Sequence, residues 1–412
     1  MDRDDKATGM RSMSEARRAG RPRAWLLLLV LAAVCACDRA PDKAAADSDA
    51  PAGAAIADAG PRASAPLSDA GAIRGAPDDE SRARAAASLE QAQSDYLSAL
   101  RIHLKTLADR GDPHSQLQLA LLLPLSQPDS ISEQLLAARQ RALAKAAAAP
   151  GQEGLVAWLQ AMDCFEQEDC DLQPALSRLQ QVEPDNAMAW LLALEDAARS
   201  DADPARLDRY LRLAAQADHY DDHLTDSSRE TLKALEQVAM PPMTSEAEAA
   251  LRKVAKLDGS SHPHDGHSLI VAALAMPMTF PPYRATFELC KPQTLRPESA
   301  RAGDCRAVLT LMADGDSLLA QAMGVSRMVQ FAAGGRDDAY WRERLRESHW
   351  LRENFARFDS PAMLRAVREL GEVPAARAEL ARLGESRPPP GWLPQSVNGR
   401  ALITTGRLPP KP

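Results

Sequence analysis

The densest set of metal-ligating side chains lies at His262-Pro263-His264-Asp265-Gly266-His267, three imidazoles and a carboxylate within six residues. Nitrogen and oxygen donors at that spacing can surround one borderline divalent ion. The chemistry on offer is metal binding or metal-dependent hydrolysis, with His262, His264, Asp265 and His267 as ligands. The surroundings argue for a plainer role. Serine, proline and glycine crowd the cluster, only His267 adjoins an expected helix, and a metal cage needs ligands held by rigid neighbours. The expectation is an exposed loop, no cofactor and no catalytic residue, with the metal site as the alternative. A second group, His219-Tyr220-Asp221-Asp222-His223, puts two histidines one helical turn apart if the segment is helical. Asp221 and Asp222 equally suit a cap in a linker between repeats, and that reading is preferred.

Whatever these side chains do, they do it in a compartment set by the start of the chain. Arg17, Arg18, Arg21 and Arg23 precede the apolar run from Trp25 to Val34, which is too short to span a bilayer and has the layout of a signal peptide over residues 1–36. The run ends in Val34-Cys35-Ala36-Cys37, which resembles the lipobox of bacterial lipoproteins. That resemblance implies cleavage before Cys37, lipidation of Cys37 and a membrane anchor facing the periplasm. Asp38 directly after it implies retention in the inner rather than the outer membrane. An ordinary secretory cut after Ala36 is the alternative. Residues 37–80 are rich in Ala, Asp, Pro, Gly and Ser, with too little large apolar surface to offset chain entropy. They read as a tether with a reach of roughly 35–40 Å.

In an exported chain, an even number of remaining cysteines favours disulfides over thiols, and four follow the anchor: Cys164, Cys170, Cys290 and Cys305. Three connectivities are possible. The sequence-local one is preferred, with Cys164–Cys170 stapling a hairpin corner and Cys290–Cys305 tying a Pro-rich stretch to the helix expected near Ala300. No CxxC pair is present to suggest zinc.

The elements that must carry all this are helical. Aromatics are 4% of the 412 residues and alanine is roughly a fifth, which favours close helix contacts over all-β folds. A net charge of -8 argues against a nucleic-acid binder, whose phosphate-facing surface needs a basic excess. Apolar residues recur at three- and four-residue steps from Ser81 onward. Helices are expected at about 132–148, 300–313, 316–332, 337–358, 361–370 and 374–383, with another buried one over 267–275. Trp341, Leu345, Trp350 and Leu351 should pack the longest of these onto the helices before it. Ala157-Trp158-Leu159-Gln160-Ala161-Met162-Asp163 echoes Ala189-Trp190-Leu191-Leu192-Ala193-Leu194-Glu195, 32 positions later. With the turn Glu183-Pro184-Asp185-Asn186, this resembles tetratricopeptide or Sel1-like repeats. The resemblance implies an all-α helical-hairpin solenoid over 81–240 that presents a surface to partners, with Trp158 and Trp190 in equivalent buried positions. A further helical region at 241–385, after Pro241-Pro242, and an extended Pro-rich tail at 386–412 complete the expected layout.

No Gly-x-Ser-x-Gly elbow, phosphate loop or His-Glu-x-x-His helix occurs in the sequence. Gly315-Asp316-Ser317-Leu318 resembles the nucleophile block of the GDSL esterases, but no Asp-x-x-His block follows it. Asp316 is instead expected to cap the next helix. The testable outcome at this level is lipidation. Mass spectrometry of the mature N-terminus should find a diacylglyceryl-modified Cys37, and Cys37→Ala should move the protein from the membrane to the soluble envelope fraction. An unmodified N-terminus or a cut elsewhere refutes the anchor.

Overall fold

Helix-start chemistry sets the frame. Asp112, Ser132, Asn186, Asp203, Ser299, Ser317 and Ser396 each turn a side-chain oxygen onto a backbone N–H two or three residues on, and a helix begins after each. The computed structural model describes residues 79–409 apart from 128–131, 166, 168–169, 201, 255–280 and 356–360. Among these there are sixteen α-helices and no strand, which makes the chain all-α. The signal segment, Cys37, the tether, the 262–267 histidine loop and the helix expected at 267–275 lie outside the described residues.

The first half is a run of helix pairs. After α1 (Asp79–Arg110), α2 (Pro113–Leu122) packs on α3 (Glu133–Ala146), α4 (Glu153–Phe165) on α5 (Gln173–Val182), and α6 (Ala187–Arg199) on α7 (Pro204–Ala215). Contacts of α3 with α4 and of α5 with α6 join the pairs side by side. Between α3 and α4 a buried ion pair, Arg139 Nε to Asp163 Oδ2 at 2.8 Å, adds a specific lock.

The chain then departs from sequence order. Helix α7 packs next against α11 (Ala300–Asp314), where Arg301 grips Asp208 through two bonds of 2.6 and 2.9 Å. From there α11 pairs with α12 (Leu318–Ala332), α12 with α13 (Asp338–Phe355), and α13 with both α15 (Glu372–Arg382) and α16 (Val397–Thr405). The intervening α8 (Leu224–Leu235) runs as a brace that touches both α2 and α14 (Pro361–Leu370). Helix α9 (Ser245–Val254) follows it, and the short α10 (Arg284–Leu289) lies on α6.

One apolar core, from Tyr96 to Leu402, runs through residues on both sides of Pro241-Pro242, and Arg84–Pro412 forms one unit. The described residues therefore share a core across the boundary expected at 240/241. A smaller cluster of Leu318, Leu351, Met363, Val373 and Leu380 holds α14 and α15. Both sequence-local disulfides are formed, Cys164–Cys170 and Cys290–Cys305, with Cα separations of 5.2 and 5.5 Å.

Three expectations are corrected. Trp158 is fully enclosed, but Trp190 is only partly buried and its Nε1–H donates to the Pro184 carbonyl at 2.8 Å. Helices α4 and α6 both bury residues on nearly every side, but α6 leaves Trp190 at its edge beside its own turn. The heptapeptide echo thus holds in environment at Ala157/Ala189, Leu159/Leu191, Ala161/Ala193 and Met162/Leu194, and fails at the tryptophan. The segment after 386 is no extended tail, because α16 packs on α12 and α13 and Trp392 meets Trp350 edge-on with centroids 5.1 Å apart. Trp350 accordingly faces this later segment, while Trp341, Leu345 and Leu351 are buried as expected. Finally, the cap of α12 is Ser317 rather than Asp316, its Oγ accepting from Ala320 N at 3.1 Å.

Helices α11 and α12 touch most closely at Gly324, where an added Cβ would stand 2.5 Å from Ala313 N and 2.7 Å from Leu309 O. Those are backbone atoms that cannot swing aside. Alanine favours a helix by about 1 kcal/mol over glycine, yet Gly324→Ala should destabilise by about 1–3 kcal/mol because the overpacking outweighs propensity. Urea denaturation checks the sign; a stabilised variant would mean that the two helices are free to move apart.

Candidate functional site

The turn before α6 and the extended segment before α8 lie beside one another. Ala187 N donates to His219 O at 2.9 Å and Asp218 N to Asp185 O at 3.0 Å, a single parallel bridge between Asn186 and His219. Asn186 sits buried at the junction and uses both ends of its carboxamide. Its Oδ1 accepts from Met188 N and from Asp221 N, each at 3.0 Å, while Nδ2 donates to Asp221 O at 2.9 Å and Glu183 Oε2 at 2.8 Å. A short side chain with two donors and two acceptor lone pairs is required to do this, and asparagine is the residue that supplies them.

The segment ends at His223, which has φ 53 and is the one described non-glycine residue in the left-handed region. Such a conformation persists where surrounding contacts fix it. Here His223 N donates to Asp221 Oδ1 at 2.8 Å, Nε2 bonds Glu183 Oε2 at 2.9 Å, and the ring lies 5.7 Å from that of Trp158. The left-handed corner turns Nδ1 toward two further carboxylates, Asp221 Oδ2 at 3.9 Å and Asp226 Oδ2 at 3.8 Å. Burial alone would push the imidazole toward neutrality, but Asp226, Glu183 and Asp221 outweigh it and push its pKa up to about 10. In return the imidazole holds Asp226 below its ordinary value. It does the same to Glu183, against the upward pull of that residue's burial. A group charged across the neutral range is mismatched to general acid–base work near pH 7. What the site is built to hold is positive charge.

The next carboxylate faces the other way. Asp222 is buried, and its Oδ2 accepts from Ser317 Oγ at 2.7 Å. Burial pushes Asp222 up to about 6, against the pull of the Ser317 bond. Ser317 is therefore an enclosed hydroxyl that caps α12 and donates to Asp222, positions incompatible with an exposed nucleophile. Glu372, also pushed up by burial, accepts from Leu318 N at 2.8 Å. Across the core, buried Glu195 accepts from Ala285 N and Thr286 N, both at 2.9 Å, and so caps α10. The Tyr220 and Tyr283 hydroxyls bond one another nearby, both pushed upward by burial.

Of the sequence candidates, His262, His264, Asp265 and His267 lie outside the described residues. His219 and His223 do not share a helical face, since 217–223 forms no helix; His219 is exposed and His223 buried. The grouping that forms instead is Asp221, His223 and Asp226, with one ligand-type atom from each lying within 4.8 Å of the others. Asp226 was missed because its place in the set depends on the left-handed turn at 223. The available signal was an acidic residue in the first turn of the next helix.

Asn186→Ala should remove four buried hydrogen bonds and cost about 2–4 kcal/mol. Asn186→Asp keeps the two acceptor bonds, loses both donors and adds a charge beside Glu183, so it should recover only part of that loss. Thermal unfolding of both variants checks the order, and an alanine variant within about 0.5 kcal/mol of wild type would refute the junction. Comparison of the chain with family models, with curated proteins and with solved structures finds no match, and no catalytic family is indicated for it.

Proposed function

We propose that the chain is a periplasm-facing lipoprotein, tethered through Cys37, whose helical body is a non-enzymatic scaffold or assembly factor for a protein partner. The observation that carries this reading is the lateral run of helix pairs α2/α3, α4/α5, α6/α7 and α11/α12, extended by α13 and α16 and braced by α8. Helices joined side by side build an extended surface rather than one enclosed cavity, which suits contact with another macromolecule. Large apolar side chains are exposed to solvent at Ile102 on α1, Tyr340 on α13 and Val397 on α16. The His223 corner supports the same reading, because its imidazole is poised for charge and not for proton transfer.

The tether fits the role, since a reach of roughly 35–40 Å lets the body meet partners without lying on the lipid. Photo-crosslinkable residues placed at Ile102, Tyr340 and Val397 in the native envelope test the proposal. The expected outcome is a discrete protein adduct from at least one position, abolished when a neighbouring surface charge is reversed and the fold is retained. The absence of any discrete adduct at all three positions would overturn it.

A further inference from the structure

We propose that Asp221 Oδ2, His223 Nδ1 and Asp226 Oδ2 form a binding site for one divalent first-row transition-metal ion, represented by zinc. The ligand set is two carboxylates and an imidazole from a corner of six residues, with one ligand atom of each within 4.8 Å of the others. Acidic groups gather on many surfaces without holding an ion. Here a second observation separates the group from such clusters. The His223 side chain is 4% exposed and its Nδ1 is enclosed without a hydrogen-bond partner, pointing at the two carboxylates from 3.9 and 3.8 Å.

Those distances are too long for hydrogen bonds and near the spacing of ligands around an ion. Donors around tetrahedral zinc with bonds of about 2.0–2.2 Å stand about 3.3–3.6 Å apart, so closing on an ion brings each carboxylate about half an ångström nearer the imidazole and the two carboxylates nearer each other by up to about 1.5 Å. The other atoms of the three side chains are already committed in the way a metal site requires. His223 Nε2 is held by Glu183 Oε2 at 2.9 Å, the carboxylate–histidine arrangement that fixes ring orientation and leaves Nδ1 to the ion. Asp221 Oδ1 accepts from His223 N at 2.8 Å, and Asp226 Oδ1 is paired with Arg229. Each carboxylate therefore offers its second oxygen inward.

Access and selectivity follow from the same geometry. Asp221 and Asp226 are 43% and 37% exposed, so the ion enters from the solvent side and water completes its coordination. An imidazole nitrogen among carboxylates favours zinc and its first-row neighbours over magnesium or calcium, which prefer oxygen alone. The ion would take the place of the proton on Nδ1, which Asp221 and Asp226 face.

The test uses the mature full-length chain, with His262→Ala, His264→Ala and His267→Ala combined as the background so that the loop imidazoles contribute nothing. Titration with zinc against a chromogenic chelator should show one equivalent bound in the micromolar range or tighter, undisturbed by millimolar magnesium or calcium. Asp221→Asn keeps the oxygen that accepts from His223 N and removes the charged ligand, and it should weaken zinc by at least about tenfold with an unchanged circular-dichroism spectrum. Asp226→Asn is the second variant, and cobalt-loaded protein should lose its visible absorption bands in both. Absence of zinc binding in the triple-alanine background, or unchanged affinity in Asp221→Asn and Asp226→Asn, overturns the site.

Discussion

The Asn186 carboxamide is the joint on which the rest of the molecule turns. It starts α6 by accepting from Met188 N, and it fixes the chain returning from α7 by bonding both the N–H and the C=O of Asp221. That fixed point acts with the His223–Glu183 and Asp222–Ser317 bonds to direct α8, since residues 217–223 form no helix and share a single β-bridge with another segment. With it, His223 takes a left-handed turn and sends α8 away from the sequential row to brace α2 and α14. A buried side chain with every polar atom satisfied specifies one geometry in a way that apolar packing alone does not.

A second regularity accounts for the buried acidity. Helix starts leave backbone N–H groups unpaired, and in several places the acceptor comes from a distant carboxylate. Glu195 reaches α10 across 90 residues of sequence, Glu372 reaches Leu318 across 54, and Asp222 reaches the capping Ser317 across 95. Each bond joins an element of the first row to one that follows the 255–280 stretch, or two elements beyond it. The helix dipole favours negative charge at these ends, which offsets part of the cost of burying a carboxylate. Asp222 and Glu372 nevertheless sit above their ordinary values, a sign that desolvation is the larger effect at both.

Sequence legibility divides along the same line. Helix positions and both disulfide pairings were readable, because periodicity and short cystine loops are local. The misread features were non-local ones. Trp190 matches Trp158 in its neighbours along the chain but not in what packs over it. Ser317 takes the cap from Asp316 and donates to Asp222, 95 residues away. The last helix follows a Pro-rich stretch and packs on α13 and α12 rather than on its predecessor. The Asp221, His223 and Asp226 set matches neither the 3.6- nor the 2-residue period, so no pattern of one regular element could reveal it.

The position of that set bears on how the body could respond to what it binds. The corner lies where the sequential row gives way to the cross-brace, and its carboxylates come from both: Glu183 from the row and Asp226 from the brace. Three carboxylates with no cation between them would repel one another and loosen the left-handed turn. A cation, whether the proton on His223 or a metal ion in its place, draws Glu183 from the α5–α6 turn and Asp226 from α8 onto the same ring. Because α8 also holds α14 through Arg229 to the Arg368 carbonyl at 2.7 Å, a change at the corner is carried to the far side of the brace by a rigid helix and not by a loop. Coupling of this kind needs an element with two seatings that both sites bias. In this fold α8 is the element placed to be that lever, since it touches both α2 and α14.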